Sequence, residues 1–96
     1  MYIGACRLTL HLYDNRSLKG KRRILHSLTD RARRTYGVSI AEVSDQDRWQ
    51  LATLGFAAVS GEYGTARDLV DRVVRFVTEN TPEAEVSNVE VEMFDL

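Results

Sequence analysis

The chain has 96 residues, 44% hydrophobic and 28% charged, which is enough for one soluble domain burying about 60–65% of its unfolded surface and too little for two. It holds no apolar run long enough to cross a bilayer and no signal-peptide core behind Met1. Its one cysteine, Cys6, excludes an internal disulfide, so the expected setting is the reducing cytoplasm. The net charge of −1 conceals an asymmetry: residues 1–40 carry nine Lys/Arg against two acids, a net +7, and residues 41–96 carry four against twelve, a net −8. Such a molecule attracts a polyanion on one side and repels it on the other, and is equally suited to pairing with its own copies.

Tyr2 to Leu12 alternates, with Cys6, Leu8, Leu10 and Leu12 on one side and Ile3, Ala5, Arg7, Thr9 and His11 on the other, which predicts a strand with one core face. Tyr13 to Arg16 is a turn by composition. Ser17 is a good N-cap for a helix running to about Tyr36, and Gly37 is a suitable C′ stop. On that helix Leu18, Leu25, Leu28 and Ala32 fall on one arc, with Ile24 at its edge. Lys19, Arg23, His26, Arg33 and Arg34 fall opposite, together with Asp30. Lys21 sits toward the apolar arc and is expected to snorkel past the first turn. Gly20 is a weak spot, costing about 0.5–1 kcal/mol against Ala.

A β-branched strand is predicted over Val38 to Val43, a polar turn over Ser44 to Arg48, and a longer strand over Trp49 to Ser60, with Leu54, Phe56 and Ala58 on one side. Thr65 is read as the cap of a second helix ending near Glu79, with Ala66, Leu69, Val70, Val73 and Val77 inward. Asn80-Thr81-Pro82 breaks it. Val86 to Phe94 forms the last strand, with Val89, Val91 and Met93 inward.

The order β-α-β-β-α-β predicts an α+β, ferredoxin-like sandwich spanning residues 1–96 as a single domain. Right-handed crossovers put both helices on one face of a four-stranded antiparallel sheet. Function does not follow from that fold.

Ser17-Leu18-Lys19 with Lys21-Arg22, and Ala41-Glu42-Val43 followed by Asp45-Gln46-Asp47 and Trp49-Gln50, resemble the YlxP-like family of small bacterial proteins of unknown function. The resemblance runs from Ile3 to about Met93. It implies a ferredoxin-like fold. It also implies, through genes that often lie near those of translation initiation and ribosome-binding factors, a role around RNA or the ribosome. It carries no catalytic residues. Where relatives have an acidic residue between the two lysines, this chain has Gly20, which removes a capping-box partner for Ser17 and makes the region more positive.

The candidate nucleic-acid-binding residues are Arg16, Lys19, Lys21, Arg22, Arg23, Arg33 and Arg34, because phosphate neutralisation needs clustered cations and little else. Against this stands a merely solvated helix face, although Asp30 alone among these cations argues against self-neutralisation. Leu54 to Val59 partly matches the RNA-recognition signature Lys/Arg-Gly-aromatic-small-aromatic-Val. Leu54 and Ala58 break it, and Phe56 with the parity of Leu54 is expected under the helices, which leaves no stacking ring there. Glu42, Asp45 and Asp47 offer oxygens to a hard cation, yet alternating carboxylates in so short a turn more often cap local N–H groups. Trp49 is read as a packing anchor at the hairpin base.

No Zn-like ligand spacing joins Cys6, His11 and His26, no serine has a base partner, and no nucleotide or cofactor motif occurs. The chain is therefore read as a binding protein and not an enzyme. Two functions fit: an RNA- or ribosome-associated accessory factor docking phosphates on the first helix, or a homodimeric interaction module. Dimerisation is expected through the open sheet face of Ile3, Ala5, Leu51, Ala57 and Val59, with Phe94 and Leu96 contributing.

Overall fold

A computed structural model describes residues 1–96. Its elements are β1 (Tyr2–His11), α1 (Leu18–Tyr36), β2 (Ser39–Ser44), β3 (Leu51–Ser60), α2 (Tyr63–Glu79) and β4 (Glu85–Asp95). The sheet order is β2-β3-β1-β4 and every neighbouring pair is antiparallel, which is the ferredoxin-like arrangement the periodicities predict.

The register follows from the alternation of β1. Cys6, Leu8 and Leu10 pair with Phe56, Leu54 and Ala52 of β3 and all six are buried, so one face of the two central strands is continuously apolar. α2 packs across β1 and β3 through Val70, Val73 and Val77, and α1 packs on β2 and α2 through Leu25, Leu28 and Ala32. Together these form one hydrophobic cluster. Phe56 lies in it, as its parity requires. No helix is long and apolar enough to cross a membrane.

The bounds of α1 have local causes. Ser17 Oγ accepts the Gly20 N–H at 3.0 Å, and Gly37 at φ 65 occupies the left-handed conformation that a side chain disfavours while its N–H bonds to Arg33 O. α2 departs from the sequence reading. It begins at Tyr63 after Glu62, which makes no side-chain cap, so Thr65 lies inside the first turn and caps nothing. β3 begins at Leu51, two residues later than predicted, and one backbone bond, Leu12 N–H donating to Gln50 O at 2.9 Å, carries the contact between the β1 and β3 ends past it.

Candidate nucleic-acid interface

The seven cations singled out from the sequence do not form one stripe. Arg16, Lys19, Arg22 and Arg23 are exposed and take part in no ion pair. Lys19, Arg22, Arg23 and His26 stand at i, i+3, i+4 and i+7, hence on one side of the first half of α1. In the second half the charge is engaged. Arg34 is ion-paired with Asp30 one turn back, and Arg33 Nη2 donates to Ile40 O at 2.6 Å, tying the helix end to β2. The available positive surface is therefore the front of α1 and the loop before it.

Lys21 does not belong to that surface. Its side chain has 0% exposure, and its ammonium donates to the carbonyls of Asp45 (2.8 Å) and Leu51 (3.1 Å). It also lies 2.8 Å from Glu42 Oε2, a buried oxygen with no partner besides this ammonium. The arrangement was foreshadowed in two places. Lys21 falls in the spacing Leu18, Lys21, Leu25, Leu28, Ala32 of the apolar arc, and Glu42 shares the inward parity of Ile40. A cation and a carboxylate placed inward on facing elements satisfy each other, since neither is tolerable there alone.

The same contacts answer the question of a cation in the β2–β3 loop. The Glu42 carboxylate already faces an ammonium. Asp45, at φ 62, turns its carbonyl to Lys21 while its Oδ2 accepts from Thr53 Oγ1 at 2.8 Å and Ser44 Oγ at 3.3 Å. Those acids hold the turn together around a lysine.

Trp49 is not a packing anchor: it is 55% exposed. With His11, Tyr13, Arg16, Arg48 and Gln50 it lines a cleft of about 460 Å³ where β1 ends and β3 begins. His11 and Tyr13, two residues apart, stack with centroids 5.5 Å apart and planes 13° from parallel, and Tyr13 is 59% exposed. The frame behind them is tightly bonded. Gln50 Nε2 donates to the carbonyls of Tyr13 and Asn15, both at 3.0 Å, and Asn15 Nδ2 donates to those of Ser17 (2.7 Å) and Trp49 (2.6 Å). Gly20 makes room for this, because a Cβ there would collide with Asn15 Oδ1. Tyr13 and Arg48 escaped the sequence reading, and Trp49 was read there as a packing anchor, because a turn and a strand end carry no periodicity. The legible hint was two aromatics and two arginines at the two ends of one predicted pairing.

The open face of the sheet divides by register. Phe94, Ile3 and Val59 form one apolar row at the far end, Glu92, Ala5 and Ala57 the next, and Arg7 bonds Glu90 at 2.6 Å across the third. Leu51 stands apart from that apolar patch, beside His11 in the cleft. On the core side, burial pushes the Cys6 thiol up to about 11, opposed by the nearby Arg67 charge.

Residues 3–91 match a protein family described as "Protein of unknown function (DUF503)". The chain is 35% identical over 92 residues to the uncharacterized protein YlxP of Bacillus subtilis (strain 168), covering 96% of this chain and 99% of that one. Among solved structures it is similar to two de novo designed proteins. Foldit4 gives a TM-score of 0.54 at 13% identity, covering 100% of this chain and 99% of the design. LFR1 1, described as having a ferredoxin fold, gives 0.51 at 10% identity, covering 98% of this chain and 84% of the design. At such identities the likeness is one of fold alone.

Proposed function

This chain belongs to the DUF503 family, whose function is unknown, and on that premise we propose that it is a cytoplasmic accessory protein that docks RNA phosphates, free or in a ribosomal subunit, without reading sequence. The reading rests on one observation: Arg16, Lys19, Arg22 and Arg23 crowd the front of α1, exposed and unmatched by any carboxylate. Cations so placed release condensed counterions when they meet phosphates, and the affinity this yields is insensitive to base identity. Two acids of the second half, Asp71 and Asp68, are paired within α2 with Arg67 and Arg72, and Glu83, which lines a hollow that Arg23 also borders, makes no ion pair with it. No chemical step is assigned to it.

Fluorescence anisotropy of an end-labelled RNA strand against salt concentration tests the reading. Neutralising five phosphates, one for each of these four cations and Arg48, gives a log–log slope of about −3.5 on a single strand. Absence of binding to RNA or ribosomal subunits at low salt contradicts it.

A second reading is favoured by the row Phe94–Ile3–Val59, in which Phe94 and Val59 stay about half exposed on an open sheet face. Two such faces related by a twofold axis would cover each other. Sedimentation equilibrium decides it: a dimer that Val59→Asp dissociates supports this reading, and a monomer at 100-fold varied concentration rejects it.

A further inference from the structure

The cleft between the β1 and β3 ends combines three properties that a packing defect lacks. Its two large rings, Tyr13 and Trp49, are held more than half exposed although buried core residues are close in sequence, Leu12 next to Tyr13 and Ala52 three residues after Trp49. Its two arginines, Arg16 and Arg48, have no ion-pair partner, and no carboxylate lines it. Its walls are fixed in advance by the Gln50 and Asn15 hydrogen bonds that clamp the Tyr13–Ser17 loop to the start of β3. Exposed rings on a fixed frame, beside unpaired guanidinium groups, offer a π-face and a phosphate contact at the same place.

We propose that this cleft seats one unpaired nucleobase of a single strand, stacked on the exposed aromatic rings of Tyr13 and Trp49, with the flanking phosphates on Arg16 and Arg48. The inference rests on the phosphate-docking reading of α1 and adds a preference to it. Arg16 belongs to the cleft and directly precedes the helix whose first half carries Lys19, Arg22 and Arg23, so a strand leaving the cleft continues onto that surface. A duplex supplies phosphates but keeps its base faces stacked inside, so it cannot use the rings. Stacking on an aromatic is tolerant of base type, which agrees with docking that does not read sequence. The stacking surface is thus not the centre of the sheet, where Phe56 is buried, but its end.

Trp49 is the only tryptophan, so its emission reports the cleft directly. The full chain is titrated at low salt with an octa-adenylate single strand, a blunt duplex of equal length and an oligo-glutamate of equal charge. The single strand is expected to quench Trp49 saturably and to bind about tenfold or more tightly than the duplex. Tyr13→Ala is expected to weaken it about fivefold or more, and Trp49→Ala likewise when read by anisotropy of a labelled strand. Both positions are exposed, and circular dichroism verifies each variant's fold. Equal affinity for duplex and single strand overturns the inference, as does oligo-glutamate quenching at the same concentration, which would mark an acidic protein segment as the occupant. If Arg22→Gln/Arg23→Gln weakens binding while Tyr13→Ala and Trp49→Ala bind as wild type, the cleft is overturned and the phosphate surface stands. If none of the polyanions binds, both fall.

Discussion

Lys21→Met leaves the Glu42 carboxylate in a mostly buried position without its counter-ion and strips a donor from two loop carbonyls. The expected cost is about 3 kcal/mol in urea unfolding. Lys21→Met combined with Glu42→Leu should cost less than the single change, because the orphaned charge goes with its partner. A double variant less stable than the single one would show that Glu42 is not left as a costly orphan when Lys21 is lost. Cys6 gives a second check. Its thiol ionises near 9.0 in the unfolded chain and at about 11 when buried, so between those values the unfolded chain gives up a proton that the folded one keeps. Stability should therefore fall as pH rises from about 9 to about 11, and Cys6→Ala should lack that component of the fall. Parallel pH profiles for the two proteins would contradict the assigned burial.

The helix α1 shows which features of an element are written locally. Its start and stop were legible because Ser17 and Gly37 act through their own backbone neighbourhood. Gly20 was legible only as a weakness. Its use, admitting the Asn15 side chain against the first turn, depends on a loop that closes onto β3 thirty-four residues away. A double-mutant cycle separates the two roles. In an Asn15→Ala background, Gly20→Ala should stabilise by about 0.5–1 kcal/mol, the ordinary helix propensity gain. In the wild-type background the gain should vanish or reverse, because the new Cβ displaces Asn15. Equal effects in both backgrounds would mean that the close approach is of no consequence. The start of α2 was misplaced for a related reason: Thr65 is a cap type by composition, but the chain turns into helix at Tyr63, before it.

For the whole molecule, alternation and helical period sufficed for element order, sheet topology and core, because burial of one face is all those features depend on. The candidate site was legible only as an excess of charge. Which cations remain free was decided for Lys21 by partners distant in sequence, Glu42, Asp45 and Leu51, and at the end of α1 by nearer ones, Ile40 for Arg33 and Asp30 for Arg34. Of the cleft only its composition was legible, since side-chain exposure at a strand end depends on how two loops meet. Of the candidate cations, those exposed and outside any ion pair or carbonyl contact thus gather at the front of α1, with Arg16 and Arg48 beside it. The most direct measurement compares two double variants with identical net charge, Arg22→Gln/Arg23→Gln and Arg33→Gln/Arg34→Gln, by the salt dependence of binding to a labelled RNA strand. The first should flatten the log–log slope by about 1.4, the share of two phosphates on a single strand, and the second should leave it at the wild-type value. Equal flattening by the two pairs, or none by the first, would contradict the account.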